Sequence, residues 1–426
     1  MAQLGIIATV IRLKEKKIGI IGAGIVGVMC ACFLKREGYD VTLFDHQRPG
    51  SATSFGNSGI ISPGAVVPIA MPGIIKNIPN WLFKSDAPLS MQWTSLPEYL
   101  PWMIRFLINS QESLARNNSS ALSALNSESL DLLKPLLTEA NLNNLVEQKG
   151  MLYVYKTEQE YQSDKLAIEL RENTRFTCNH ISGTELRELE PNISKQFSKG
   201  VFFPEVNHTL NPYKLVQQLT AYFLQLGGSY LSKKIVDITT TNEGRAQLTT
   251  DSQIIEQDLC VITAGIWSKK LVKRLGYKIP LVSHRGYHIT VNDPAINLNT
   301  VICPSGYMAT IVPMEMGIRI GGTVELTNMG KGFNHKRIRA LLNNLKNTLP
   351  LINTDKMTTW MGDRPCTPDS LPIICRAPTH RSFLFAFGHG HQGVLSAPKT
   401  AQIITDLVIE RKPRINMNLF DIQRFT

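Results

Sequence analysis

Apolar and polar residues follow two different periods along this chain, and the points where the period switches outline its elements. The run Ile18-Gly19-Ile20-Ile21 is too short for a helix and reads as a buried strand; Val28–Arg36 has helical character, and Val41–Phe44 is a second apolar strand. Residues 81–149 read as helical. A helix begins at Leu96 with Pro101 in its first turn, and leucines 122, 125, 130, 133 and 137 carry the helical period from Ser119 to Asn141. Strands are predicted at Gly150–Tyr155 and Lys199–Pro204, a helix from Asn211-Pro212 to Gly227, a strand over Ser229–Ile238 and a strand pair within Ala246–Thr263. Residues 284–325, rich in β-branched and turn residues, predict antiparallel sheet. His335–Leu349 predicts a helix, and the glycine-rich stretch Gly388–Gly393 opens a last helix running to about Glu410.

The first strand runs straight into Gly22-Ala23-Gly24-Ile25-Val26-Gly27, and the second ends on Asp45. In a β-α-β unit these glycines have separate tasks. Gly22 allows the tight turn, Gly24 lets backbone approach a pyrophosphate, and Gly27 lets helix and strand pack closely. The helix N-terminus offers free N–H groups to phosphate, and Asp45 stands where an acid accepts hydrogen bonds from a ribose. Strand, glycines, helix, strand and acid in this order predict dinucleotide binding. Further strand-turn elements near 259–265 and 384–393 predict a nucleotide domain assembled from distant pieces, with a second domain inserted between them.

Composition adds bounds. With 426 residues, two domains are expected. The net charge of +11 carries a weak attraction to anionic surfaces, but no run of like charges marks a nucleic-acid arm, and an ordinary solvated surface is the preferred reading. Seven scattered cysteines without a C-x-x-C pair argue against zinc and disulfide frameworks and fit a reducing cytoplasm. Met1–Lys16 reads as a short extension without a basic leader or cleavage site. The apolar stretch Gly59–Phe83 is broken by four prolines and cannot form a spanning helix. Trp81, Trp93 and Trp102 read as core residues, with a membrane-interface cluster as the alternative.

Three clusters carry candidate chemistry beyond the glycine motif. Thr263-Ala264-Gly265 ends an apolar strand in small residues, which lets the chain pass close under a cofactor. Gly362-Asp363-Arg364-Pro365-Cys366-Thr367-Pro368-Asp369 is stiffened by proline and holds an arginine suited to bidentate capture of a carboxylate; a salt bridge from Arg364 to Asp363 or Asp369 is the competing reading. Gly388-His389-Gly390-His391-Gln392-Gly393 feeds a helix N-terminus and offers backbone donors to electron-rich atoms. Two histidines one residue apart with no third ligand nearby make a poor metal site, and no metal is expected.

With these pieces, and with Thr53-Ser54-Phe55-Gly56-Asn57-Ser58-Gly59-Ile60-Ile61-Ser62-Pro63-Gly64, the chain resembles the FAD-dependent D-amino-acid oxidase superfamily, nearest its D-amino acid dehydrogenase branch. The motifs span residues 17 to about 410 in family order. The resemblance implies an α/β fold: a discontinuous Rossmann-like FAD domain (17–75, 195–284 and 360–412) and a substrate domain with mixed or antiparallel sheet and helices (76–194 and 285–359). It implies non-covalent FAD, since Cys366 is not placed like the flavin-linked cysteine of sarcosine oxidase relatives. Carried over by position, Asp45 would hold the adenosine ribose, with His46 beside it in the cofactor set. Ile235 or Val236 would meet the adenine, Ser54, Asn57, Ser58 and Gly59 would line the flavin, and Thr53 and Ile61 would belong to the cofactor set. Thr263, Ala264, Gly265, Trp267, Gly362, Gly390, His391, Gln392 and Gly393 would complete the cofactor set. Arg364 would anchor the substrate carboxylate, aided by Tyr287 or Tyr307, with His389 beside the flavin. Departures from the family pattern are Cys375 in place of a glycine, Asn211 in place of an acid before Pro212, and the second histidine, His391.

The implied activity is oxidative deamination of D-amino acids to 2-oxo acids and ammonia, with hydride passing from Cα to flavin N5. Electrons would go to a quinone or another acceptor, and the charge and apolar segments are compatible with peripheral contact at the inner face of a membrane. The alternatives are a hydroxyproline, proline, glycine or sarcosine-type substrate, a non-catalytic FAD-carrying electron-transfer subunit, and an NAD-dependent dehydrogenase.

Overall fold

The computed structural model describes residues 16–74 and 88–425. The expected N-terminal extension, except Lys16, and Trp81 lie outside them. Six strands form a sheet in the order Ser229–Leu231, Asp40–Phe44, Lys17–Ile21, Leu259–Ile262, Phe383–Phe387 and Ile373–Arg376; all neighbours are parallel except the last pair. Parallel strands are covered on both faces, so their sequences are nearly all apolar. One face packs on the helices Ile25–Arg36, Pro212–Gln225 and Gly393–Val408, and the other on the meander formed by Ile235–Thr240, Ala246–Thr250 and Ile254–Gln257 and on the helix Ser268–Arg274. Buried side chains such as Val28, Leu34, Val216 and Ile404 each contribute about 1.5–3 kcal/mol by leaving water.

The second sheet is mixed. Its strands run in the order Met357–Cys366, Val282–Val291, Gly317–Leu326, Ala309–Met314, Val301–Pro304, Met151–Tyr155, Lys199–Phe203 and Asn179–Ser182, with Leu89–Met91 pairing beside Gly317–Leu326. One face is covered by the helix His335–Thr348. The other faces the parallel sheet's glycine loops and carries the candidate chemistry.

Several expectations need correction. The strand expected over Ser229–Ile238 is two strands in different sheets, because Ser232-Lys233-Lys234 is too polar to continue inside the parallel sheet. Of the pair expected within Ala246–Thr263, two strands form the meander and Leu259–Ile262 enters the parallel sheet. Ser119–Asn141 is two helices, Glu112–Asn126 and Ser129–Glu139, broken where fully buried Asn126 turns its amide to Ala65 O and Gln392 Oε1. Pro101 lies within the Leu96–Asn109 helix rather than in its first turn, which is occupied by Pro97. Lys199–Phe203 and most of Met357–Cys366 fall in stretches expected for the cofactor domain but belong to the large sheet. Trp102 is buried, whereas Trp93 is 60% exposed.

Candidate functional site

A cavity of about 550 Å³ runs along the C-terminal edge of the parallel sheet, within the size range of small-molecule sites. At one end the glycine motif forms its floor. Gly22 has φ +108°, and a β-carbon there would lie 2.8 Å from Thr263 O; one on Gly27 would lie 1.9 Å from Gly22 O. Only glycine fits either place. The Asp45 carboxylate accepts from Ala23 N at 2.8 Å and Gln47 N at 3.0 Å, which fixes it at the mouth of the turn. Ser54 Oγ accepts from Ile25 N at 3.0 Å, while the remaining first-turn amides have no partner within the helix. Lys233, Lys234, Lys270 and Arg274 join this wall and make its rim basic, a field suited to phosphate.

At the other end, residues 53–59 form a tethered floor. Thr53 Oγ1 donates to Asp363 O, Asn57 Nδ2 to His391 O, and Thr310 Oγ1 to Ser58 Oγ. Arg319, buried and drawn down to about 10 by its surroundings, donates to the carbonyls of Phe55 and Asn57. The glycine-rich loop closes the opposite wall. Gly388 and Gly390 take positive φ (85° and 55°), and Gly390 N donates to Pro365 O at 2.9 Å. His389 is buried against Thr400 Oγ1 at 3.0 Å, and burial lowers its pKa to about 3, so it is neutral.

Arg364 lies beside this end, one residue before the wall residue Pro365. Strand alternation gives it a face shared with His284, Gly286 and His288, because His284 pairs with Arg364 and Gly286 with Gly362. Its Nη1 donates to Thr323 O at 3.0 Å and its Nη2 to Gly322 O at 3.5 Å. Thr323 sits at an irregularity in the pairing of the two strands, with φ +52°, a strained value for a β-branched residue. Neither aspartate of the competing reading reaches Arg364. Asp363 points to the opposite face and pairs with Arg285 at 3.0 Å, and Asp369 pairs with Arg424 at 2.7 Å. Among the described residues, Arg364 therefore has no carboxylate partner, and burial lowers its pKa.

The remaining sequence-predicted residues divide by position. Gly22, Gly24, Ile25, Val26, Asp45, His46, Thr53, Ser54, Asn57, Ile235, Val236, Thr263, Ala264, Gly265, Trp267, His389, Gly390 and Gly393 line the cavity. Gly27, Ser58 and Gly59 stand behind its lining, His391 and Gln392 line a small adjoining recess, and Gly362 packs under Trp360. Ile61 is a core residue. Tyr287 requires correction: it is on the Asp363 face, fully buried, with its hydroxyl donated to Glu325. Tyr307 is also turned away, its hydroxyl accepting from Lys156 Nζ at 2.9 Å. Sequence reading missed the basic rim and the clamp from Arg319; the Lys233-Lys234 pair after a strand was the available signal. One group of metal-ligand type exists among the described residues, Glu172, Cys178 and His180, on the far edge of the large sheet. There His180 is already engaged by Glu172 at 2.6 Å and Tyr161 at 2.7 Å.

The residues present fit FAD: a glycine turn that no β-carbon could enter, a basic rim for phosphates, an acid at the turn, and a second glycine loop feeding a helix N-terminus. The model of the FAD dependent oxidoreductase family matches residues 17–407. A D-amino-acid oxidase from Bradyrhizobium diazoefficiens is 31% identical over 419 residues, 97% of this chain and 99% of the relative. A D-amino acid dehydrogenase from Vibrio vulnificus is 29% identical over 91% of this chain and 95% of its own length. Glycine oxidase from Geobacillus kaustophilus shares the fold at a TM-score of 0.76, with 18% identity over 97% of this chain and 100% of that one. A turn that only glycine can make, an acid fixed at its mouth and a match over nearly the whole length place this chain in the FAD dependent oxidoreductase family, as a flavoenzyme.

Proposed function

We propose that this flavoenzyme oxidises small D-amino acids to 2-oxo acids and ammonia, with Arg364 as the carboxylate anchor. The observation that carries the reading is a half-buried guanidinium held by two main-chain carbonyls and, among the described residues, left without an anion. A cation partly withdrawn from water is costly unless something pairs it, and a substrate carboxylate supplies the pair. The names of the two relatives, D-amino-acid oxidase and D-amino acid dehydrogenase, support the substrate class.

FAD, when bound, takes up the hydrogen and two electrons from the substrate's α-carbon. The chain's own residues position and polarise. Arg364 fixes one end of the substrate, Asn57 and Ser54 hold the floor, and the amides opening the Gly393–Val408 helix offset negative charge at the far wall. The imine released hydrolyses in water. Electrons then pass to a quinone or another acceptor. A peripheral membrane contact is supported by an exposed apolar stripe on the Leu96–Asn109 helix (Leu100, Ile104, Leu107 and Ile108, with Trp93 before it) and by the charge of +11. Among the described residues no helix is long and apolar enough to cross a membrane. A cytoplasmic setting rests on seven free cysteines, six of them buried.

The test is anaerobic bleaching of the bound flavin by a panel of D- and L-amino acids, glycine and proline, followed by readmission of oxygen. D-amino acids should bleach it, and Arg364→Ala should lower kcat/KM by about a hundredfold or more with FAD retained. Wild-type kinetics in that variant would remove Arg364 from the reading, and bleaching by proline or glycine alone would move the substrate class.

A further inference from the structure

Two histidines flank the arginine. The Arg364 guanidinium lies over Gly286, and His284 and His288 occupy the positions on either side of Gly286 on the same face of the same strand. His288 is committed to the cofactor floor, with Nδ1 within hydrogen-bond reach of Gly56 O at 3.3 Å and its ring clustered with those of Phe55 and Trp360. His284 has a ring nitrogen that is not committed. The residue is 5% exposed and its Nε2 is buried without a hydrogen-bond partner.

Its surroundings hold the ring in place without satisfying it. Trp102 meets it edge-on at 4.8 Å and is itself fixed by donation from Nε1 to Cys366 O at 3.1 Å. An unpaired buried imidazole nitrogen costs about 1–3 kcal/mol. That cost is carried next to the half-buried Arg364 cation, which also lacks an anionic partner among the described residues. Burial and the Arg364 charge keep His284 at about 3, so the ring is neutral and bears one N–H. Accepting from a substrate ammonium would bring a second cation up to Arg364, which like-charge repulsion opposes; donating to an anion does not.

We propose that His284 is a second carboxylate-binding residue, donating its ring N–H to the carboxylate that Arg364 neutralises and thereby fixing that group's orientation. This rests on the reading of Arg364 given above. A neutral donor beside a cation suits a single carboxylate, because the site then holds one positive charge rather than two.

The test titrates propionate, a non-oxidisable carboxylate, into the FAD-loaded enzyme and follows the flavin absorbance. His284→Phe keeps a ring against Trp102 and removes the donor; His284→Asn restores a donor. Propionate binding should weaken about ten- to hundredfold in His284→Phe, with KM rising in parallel and kcat within a few-fold, and His284→Asn should recover part of the loss. If His284→Phe does not hold FAD, His284→Leu decides by the same titration. Wild-type affinity in His284→Phe, alongside loss in Arg364→Ala, would overturn the role of His284 and leave the arginine site standing. Wild-type affinity in Arg364→Ala, or no response to propionate in the unmodified enzyme, would overturn the carboxylate site and this inference together.

Discussion

The Arg364 guanidinium occupies the space that a β-carbon on Gly286 would need: that position lies 2.1 Å from Arg364 Cζ. The glycine is there for its neighbour's side chain, not for its own backbone.

Gly286→Ala should therefore fold and bind FAD, because the clash falls on the far end of a flexible side chain, but it should push Arg364 off the carbonyls of Gly322 and Thr323. We expect KM to rise about ten- to hundredfold with flavin content unchanged. Steady-state kinetics on the purified variant check this, and an unchanged KM would show that the guanidinium can work from another place.

Gly27→Ala should behave in the opposite way. Its new β-carbon would meet Gly22 O, a backbone atom, at 1.9 Å, so helix and strand must separate. The variant should purify without yellow colour, read from the ratio of flavin to protein absorbance.

Tyr287→Phe should leave kcat and KM within about twofold of wild type, since the hydroxyl is on the sheet face away from Arg364. It should lower stability by about 1–2 kcal/mol by leaving buried Glu325 short of a donor. Urea unfolding read together with kinetics separates the two; a raised KM at unchanged stability would return Tyr287 to the substrate.

Acid should act through the histidines. His284, His288 and His389 are held at about 3 by burial, well below the ordinary value of 6.5. Below about pH 6.5 the unfolded chain takes up protons that the native one refuses. Stability is therefore level above that pH and falls beneath it by about 1.4 kcal/mol per pH unit for each histidine. His288→Phe should lose about 2 kcal/mol less than wild type between pH 7.5 and pH 5, measured by denaturant unfolding at both values. An identical loss in the two proteins would mean that native His288 takes up its proton over this range as readily as the unfolded chain does.

What the sequence could reveal depended on how local each constraint is. Gly22 and Gly27 were legible because the sterics of a strand-turn-helix involve neighbouring residues and leave no other residue type. The partner of Arg364 was not, because Asp363 and Asp369 both stand within five residues of it, and only strand alternation sends the first to Arg285 while Arg424 reaches the second. Tyr287 misled for a related reason. His284, Gly286 and His288 on one face and Ser283, Arg285 and Tyr287 on the other are both partly polar, so the pattern did not say which face meets the cofactor side. The Arg319 clamp joins residues more than 260 positions apart, and nothing local announces it.

The order of strands in the parallel sheet also sets a timetable. Lys17–Ile21 waits for Leu259–Ile262 as a neighbour, and that strand waits for Phe383–Phe387. The cavity walls are drawn from residues 21–57, 233–274 and 365–394. A ribosome making this chain must thus release nearly all of it before the cofactor finds a complete berth, and the early β-α-β unit spends most of synthesis with an apolar edge unpaired. Supply of FAD governs how much finished protein is captured in the native state, not how the nascent chain begins to fold.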